Sequence, residues 1–210
     1  MHHLLETWFN WVLTGGYAGI VVLMAMESSI FPVPSEIVIP PAAFLAAQGK
    51  LNFWGVVLAG TVGSYLGAAI TYWASRLIGR PLIVKYGHYV LLTPKKLEGA
   101  EHFLARYEAG GVFFARLLPI VRHLISIPAG IVRMNFGVFS VVTIAGSGLW
   151  CWILAYLGDK AYRVEPQLLT SPEALEHFIR QQSRGILLVI ALFAALYMLA
   201  LRMMKPRSGA

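Results

Sequence analysis

The hydrophobic pattern of this chain contains long apolar runs, and prolines interrupt two of them. Residues 17–48 are apolar but contain Pro32, Pro34, Pro40 and Pro41. Proline removes a helical hydrogen bond and clashes with the preceding turn. The arm before these prolines has about 14 residues and reaches about 21 Å at 1.5 Å per residue, whereas a bilayer core is about 30 Å thick. We therefore expect residues 17–48 to form a re-entrant helical hairpin, which enters the membrane and leaves it on the same side.

The remaining elements follow from the same pattern. Residues 111–133 form the second interrupted run, with Pro119 and Pro128, and are predicted as a second re-entrant hairpin. The uninterrupted apolar runs are predicted to cross the membrane at 53–75, 136–157 and 186–204. The other predicted segments are an interfacial amphipathic helix at 1–14, a cytoplasmic loop at 76–110, an extracytoplasmic loop at 159–185 and a tail at 205–210, so that the core covers 15–158.

Composition assigns the chain to one class. The 210 residues are 58% hydrophobic and 13% charged, and the mean hydropathy is +0.66. Because a soluble domain carries about 25% charged residues, we predict an all-α integral membrane protein, a compact helical bundle. The single cysteine excludes an internal disulfide.

The distribution of basic residues predicts the orientation of the chain in the membrane. In residues 76–110 six basic residues outnumber three acidic ones, and the C-terminal end of the chain carries Arg202, Lys205 and Arg207. Cytoplasmic loops are enriched in lysine and arginine, so both segments are predicted to be cytoplasmic. The first hairpin then enters from outside and the second from the cytoplasm, with the N-terminus outside.

A short sequence similarity relates the two halves of the chain. Residues 51–56 read LNFWGV and residues 134–138 read MNFGV, and each follows a proline-broken run. A unit of one hairpin and one crossing reverses the membrane side, so a second copy is inverted. Inverted repeats with broken helices near the midplane are typical of transporters.

Each proline break carries charge. Glu27 and Glu36 lie in the first break, and Arg116 and Arg122 lie in the second. Charged side chains are costly in hydrocarbon and indicate function by default. The planar fork of arginine suits phosphate oxygens, and the two carboxylates are candidates for proton exchange or for pairing with arginine. Two alternatives are structural: fixed ion pairs that hold the hairpin tips together, and Glu36 as an acidic residue in the first turn of a helix.

Further residues near the breaks have predicted supporting roles, each beside a structural alternative. His123 could relay a proton or bond a backbone carbonyl. Arg133 could guide an anionic substrate or extend to lipid headgroups, and Tyr72 could contact substrate or pack in the core. Ser35 is predicted to cap the helix returning towards residue 48. The supporting set is Pro34, Ser35, Tyr72, Pro119, His123 and Arg133.

Enzyme motifs are not found in the sequence. No H-E-x-x-H, C-x-x-C, G-x-S-x-G or phosphate-binding P-loop pattern occurs. We therefore predict a transporter rather than an enzyme, with no metal and no cofactor. The small positive excess of the loop at 76–110 predicts anionic lipid as its partner, not nucleic acid.

An ordered set of these residues resembles the DedA family, also called SNARE-associated or VTT-domain proteins, over residues 15–158. Membership implies two opposed re-entrant hairpins in a small bundle. It also implies lipid transport across the bacterial cytoplasmic membrane, of undecaprenyl phosphate or phosphatidylethanolamine, often linked to the proton motive force. The motif residues are Glu27; Phe31-Pro32-x-Pro34-Ser35-Glu36; Gly60, Gly67, Tyr72 and Gly79-Arg80; Arg116-x-x-Pro119-x-x-Arg122; and Pro128-Ala129-Gly130.

The resemblance also suggests roles for the charged residues. The essential acids of the family match Glu27 and Glu36, and its essential arginines match Arg116 and Arg122. Some relatives have Gly-Asp where this chain has Ser35-Glu36, and this difference leaves the lipid substrate open.

The expected function is that of a multi-pass lipid translocase of the bacterial inner membrane, with lipid and protons as its partners. Undecaprenyl phosphate is the first expected substrate, and phosphatidylethanolamine is the alternative. Two other classes remain: a proton or small-ion antiporter, and a structural membrane protein whose hairpin tips are locked by ion pairs. The sequence leaves the oligomeric state open.

Overall fold

The structure, a computed structural model, describes residues 2–29, 34–86 and 94–164, together with Leu188 and Ala195. Within these ranges the elements are helices and no strand occurs, which confirms the all-helical class. The crossing predicted at 186–204, residues 165–185 and the tail lie outside the described ranges, apart from those two isolated residues. The helices are α1 (His2–Glu27), α2 (Ser35–Ala47), α3 (Phe53–Tyr86), α4 (Pro94–Leu117), α5 (Pro119–Leu124), α6 (Ser126–Ile131) and α7 (Phe136–Val164).

Helix α1 consists of two helical segments joined at a kink. Gly16 has φ 52° and ψ −135°, a conformation that glycine adopts without the steric cost other residues would incur. The apolar segment Thr14–Glu27 then leads to the first break. Pro34 stands before α2 with extended backbone, φ −73° and ψ 127°.

Helix α2 continues through Pro40 and Pro41, so the expectation that these two prolines interrupt the run is wrong. Both prolines are buried against the rest of the bundle. At Gly158 of α7, a Cβ atom would overlap the carbonyl of Pro40, so the absence of a side chain there lets the two helices meet. Close packing by neighbouring helices is what makes proline tolerable inside an apolar helix.

The two long helices, α3 and α7, run antiparallel through the centre of the bundle. Thr61 of α3 lies beside Gly148 of α7, and further along α3 the Tyr65 hydroxyl is 3.0 Å from the Ser140 hydroxyl. Residue numbers therefore rise along α3 as they fall along α7. Helices α1, α2, α4 and α6 pack against this pair, and α5 packs against α4 and α6.

Both long helices begin with the same asparagine side-chain cap. The side-chain oxygen of Asn52 accepts the Gly55 N–H at 3.1 Å, and that of Asn135 accepts the Val138 N–H at 3.1 Å. Each asparagine satisfies an N–H that the first helical turn leaves without a partner. The similar sequences at 51–56 and 134–138 thus form equivalent helix starts.

Small residues on α3 allow α1 to approach closely. A side chain at Gly63 would overlap the backbone of Val21, and one at Gly67 would overlap the backbone of Ala25. Without these glycines the two helices could not keep their separation.

The outer face of the long helices is apolar. The segments Phe53–Ile78 and Phe136–Val164 are long and apolar enough to cross a membrane by length and composition. Leu58 and Ile70 on the outer face of α3 are more than 60% exposed. Trp54 and Trp73 are also exposed there, about 28 Å apart at 1.5 Å per residue, which matches the separation of the two interfaces of a bilayer core.

Three helices are longer than the hydrophobic pattern indicates. Helix α3 continues past residue 75 to Tyr86, and α4 runs without a break from Pro94 to Leu117. Most of the segment 76–110 is therefore helical. Helix α7 continues past residue 157 to Val164, so the start of the segment predicted as a loop at 159–185 is helical. The polar and apolar ends of α4 form one continuous helix because a helix needs no uniform hydrophobicity along its axis; what ends it is the approach to Pro119.

Candidate functional site

The carboxylate of Glu27 closes the first break. Glu27 is the last residue of α1 and is 2% exposed. Its Oε1 atom accepts the backbone N–H of Ser35 at 2.9 Å, at the start of α2, where the helix dipole favours a negative charge. The cap of α2 is thus supplied by Glu27 from across the break, and the predicted capping role of the Ser35 hydroxyl is wrong.

Arg122 of α5 binds this carboxylate from the second break. Its Nη2 atom lies 3.0 Å from Glu27 Oε2 and donates to the Ser64 hydroxyl at 3.4 Å, while Nη1 donates to the Ser35 hydroxyl at 3.3 Å. The guanidinium also faces the Trp150 ring at 5.9 Å. The structure therefore joins the two breaks through one buried ion pair between residues 95 positions apart.

Arg116, at the end of α4, lies beside this pair and is 1% exposed. Its Nη2 atom donates to the Ser126 hydroxyl at 2.6 Å, and Nη1 donates to the carbonyl of Arg122 at 3.2 Å. In the described part of the chain no carboxylate forms an ion pair with Arg116. Among the described residues, two buried guanidiniums thus lie near a single fully buried carboxylate, and the centre has an excess of positive charge.

The other predicted site residues lie around this centre or away from it. Glu36 is partly buried in the first turn of α2. Tyr72 is buried, donates its hydroxyl to the Met134 carbonyl and accepts from Arg76 Nη1 at 2.9 Å, which favours its structural role. Arg133 is exposed after α6, with φ 52°.

The prolines of the breaks occupy helix starts. Pro34 is the N-cap of α2, and Pro119 is in the first turn of α5, where its missing N–H costs nothing. His123 belongs to α5, but its side chain lies outside the described part of the structure.

Ser64, Ser126 and Trp150 also surround the charged centre and were not predicted as site residues. Ser64 and Ser126 accept from Arg122 and Arg116, and Trp150 donates from Nε1 to the Ser35 hydroxyl at 3.3 Å. Ser64 and Ser126 are 0% exposed. Serines inside apolar helices are common packing residues, so only the folded arrangement identifies these as partners of the arginines.

Several buried polar atoms at the centre have no partner. Among the described residues these are the hydroxyl oxygens of Ser28, Thr143 and Ser147, and Nε of Arg116. Buried polar groups are nearly always hydrogen-bonded, so each exception calls for an explanation. Together with the positive excess, they make the centre suited to an anion with several oxygen atoms. No group of three or more potential metal ligands occurs within the described ranges.

The fold and site define a bundle of apolar helices built around a buried, positively charged centre. The family model of the VTT domain matches residues 33–160. The chain belongs to the VTT-domain, or DedA, family, as its motif residues indicated.

Relatives extend this similarity to nearly the whole chain. Undecaprenyl phosphate transporter A of Bacillus subtilis (strain 168) is 34% identical over 197 residues, covering 94% of each chain. The protein of the same name in Staphylococcus aureus (strain NCTC 8325 / PS 47) is 33% identical over 147 residues, covering 68% of this chain and 72% of its own.

A third relative carries a different name. An alkaline phosphatase-like protein of Lactococcus lactis subsp. cremoris (strain MG1363) is 32% identical over 148 residues, covering 68% of this chain and 69% of its own. No solved structure matches the chain. Several relatives are named membrane proteins or transporters, and the chain is accordingly a membrane protein.

Proposed function

We propose that this protein is a multi-pass lipid translocase of the bacterial inner membrane that moves a phosphate-bearing lipid between leaflets. The observation that carries the proposal is the buried Glu27–Arg122 ion pair with Arg116 beside it. Both arginines lie inside a bundle of apolar helices, and the planar fork of arginine suits phosphate oxygens. The name of the Bacillus subtilis relative, similar over 94% of its length, supports undecaprenyl phosphate as the substrate.

The directions of the helices support a re-entrant hairpin in the first half. Helix α1 follows α3 in the same direction, because Tyr17 lies near Gly55 and Ala25 lies near Gly67. Helix α2 then returns along α7, with Phe44 packed edge-on against Tyr162. Since α3 and α7 are antiparallel, α1 and α2 also run in opposite directions, as the arms of a hairpin do.

The second half repeats this scheme. Helix α4 approaches the break beside α7, where Arg116 lies against Gly146, and α6 leaves it along α3, where Gly130 lies against Tyr72. In each half the first arm packs on the long helix of its own half and the second arm on that of the other. Together with the equivalent Asn52 and Asn135 caps, this supports an inverted repeat with two opposed hairpins.

The charge balance favours a lipid phosphate over a zwitterionic headgroup. One buried carboxylate faces two guanidiniums, so the centre needs a net negative guest. A lipid monophosphate supplies 1–2 negative charges and oxygen atoms for both arginine forks. Phosphatidylethanolamine carries an ammonium group that would compete for Glu27, and it is therefore the second candidate substrate.

In the described state both arginines are 1–2% exposed, so a headgroup enters only when the hairpin tips separate. We propose that the phosphate replaces the carboxylate of Glu27 on Arg122, and that protonation of Glu27, with Glu36 as the second acid, releases Arg122 for this exchange. A ligand or proton that interacts differently with the closed and open states shifts their populations. In the proposed orientation the basic segment 76–110 faces the cytoplasm and the N-terminus faces outwards.

The test is reconstitution of the full chain in liposomes with labelled undecaprenyl phosphate in one leaflet. Arg116→Gln replaces the guanidinium by a shorter, neutral amide, and a transfer rate lower by about tenfold or more is expected, since one lost charge-assisted hydrogen bond is worth about 1.5–3 kcal/mol. The matched control is Arg163→Gln. Arg163 is 74% exposed and pairs with Asp159 at the surface, so its loss should leave transfer unchanged.

Equal transfer by a folded Arg116→Gln variant would reject the proposed site. The same liposomes separate the other classes of protein. Release of inorganic phosphate from the lipid would indicate a phosphatase, and proton flux in liposomes that lack lipid phosphate would indicate an antiporter.

A further inference from the structure

Helix α7 carries two buried hydroxyl groups that do not form the usual hydrogen bond to a backbone carbonyl of their own helix. A serine or threonine in an apolar helix normally donates to the carbonyl four residues earlier. Thr61 does so at 2.7 Å and Thr71 at 2.9 Å, both within α3. Thr143 and Ser147 are 0% and 1% exposed, yet their hydroxyl oxygens have no partner among the described residues.

The side chain of Arg116 crosses the same face of α7. A Cβ atom at Gly146 would lie 2.8 Å from Arg116 Cβ, and the far end of the arginine, Cζ, is 5.7 Å from the centre of the Phe139 ring. Thr143 lies four residues after Phe139 and three before Gly146, and residues so spaced share a helix face. The arginine stem therefore passes over Thr143, with Ser147 one turn further on.

A third unpartnered donor belongs to this same side chain. Arg116 uses Nη1 and Nη2 in hydrogen bonds, whereas Nε has no partner in the described part of the chain. The three unsatisfied groups thus comprise one N–H donor and two hydroxyls that can donate. No carboxylate of the described residues forms an ion pair with this guanidinium.

We propose that Thr143, Ser147 and Nε of Arg116 form a subsite for one oxygen of a phosphate monoester. The inference rests on the proposed function and adds two binding residues on α7 to it. In the closed state the hydroxyls remain without a protein partner, and they bind when the phosphate reaches Arg116. The phosphate belongs either to a lipid headgroup or to free inorganic phosphate, which share this chemistry, and the experiment separates the two.

Stability and affinity should respond in opposite directions. Thr143→Val replaces an unpartnered buried hydroxyl by a methyl group of similar shape, a change that is neutral or stabilising for the unliganded protein. Loss of a hydrogen bond to a charged oxygen should nevertheless weaken binding by about tenfold. A purely structural hydroxyl would lower stability and leave affinity unchanged.

The experiment measures binding of farnesyl phosphate, farnesol and inorganic phosphate to the full chain in detergent, together with melting temperature. We expect the wild type to prefer farnesyl phosphate to farnesol, and Thr143→Val and Ser147→Ala each to lose about tenfold in affinity without a lower melting temperature. Thr61→Val is the matched control, because the Thr61 hydroxyl is already bonded within α3, and it should keep wild-type affinity.

Each outcome decides a separate point. Wild-type affinity in both α7 variants would overturn the subsite and leave the proposed function standing. A wild type that binds farnesol as well as farnesyl phosphate would reject both. If inorganic phosphate binds as tightly as farnesyl phosphate and shows the same loss in Thr143→Val, the subsite stands with a free anion as its ligand.

Discussion

The ion pair between Glu27 and Arg122 allows a quantitative test by a double-mutant cycle. The variants are Glu27→Gln, Arg122→Gln and the two together. Both side chains are at least 98% buried and 3.0 Å apart at their closest atoms. Each single change leaves one buried charge without its partner, whereas the double change removes both charges.

The expected magnitudes follow from the contacts. Removing one member of a buried ion pair typically costs about 3–5 kcal/mol. Glu27→Gln should fall at the lower end, because a glutamine oxygen can still accept the Ser35 N–H and Arg122 keeps its bonds to Ser35 and Ser64. A loss of about 3 kcal/mol lowers the melting temperature by about 6–12 °C in a chain of this size. The double variant should recover about 2–3 kcal/mol relative to the sum of the single losses.

These differences are measured as melting temperatures in detergent. The melting temperature is obtained from the fraction of protein that stays monodisperse after heating. Additive losses would show that the two charges do not interact and would refute the pairing. Lipid transfer by the double variant then separates the two roles of the pair. A carrier mechanism predicts a double variant that is folded but does not transport, whereas retained transport would favour the structural class of protein.

Three further predictions concern other parts of the bundle. Gly146→Ala places a methyl group against Arg116 and should cost about 1–3 kcal/mol by overpacking and slow lipid transfer, as measured by melting temperature and by the liposome assay. Asn52→Ala and Asn135→Ala should each cost about 1 kcal/mol, and unequal losses would argue against equivalent helix starts. Glu27→Gln should make transfer insensitive to an imposed proton gradient, and a wild-type response to the gradient would contradict proton coupling through this residue.

The helical class and the positions of the charged residues inside apolar runs could be predicted, because both leave local signals in the sequence. Runs of apolar residues mark the helices, and a charge inside such a run is conspicuous, as at Glu27 and Arg122. The roles of these residues in transport stay predictions. Gly60, Gly63 and Gly67 of α3 are three to four residues apart and so share a helix face, and the structure shows Gly63 and Gly67 in contact with α1.

Other features depend on contacts between distant parts of the chain. The close approach of α2 to α7 at Pro40 is possible because Gly158, more than a hundred residues later, has no side chain there. The pairing of Arg122 with Glu27 leaves Arg116 to serine and backbone oxygens, although the sequence offers two acids and two arginines. The unpartnered state of Thr143 likewise appears only once its neighbours are in place.

Contact between lipid phosphorus and the arginines in a bilayer is the most direct test of the central claim. Protein with 15N-labelled arginine guanidiniums is placed in a phosphorus-free glycolipid bilayer that contains undecaprenyl phosphate, and 15N–31P dephasing is measured by solid-state NMR. Arginine nitrogens and phosphate oxygens in contact lie about 2.7–2.9 Å apart. Strong dephasing that becomes weaker in Arg116→Gln, because only Arg122 remains in contact with the phosphate, but keeps its strength in Arg163→Gln, is the predicted result. Dephasing that is absent, or that is unchanged in Arg116→Gln, would contradict the account.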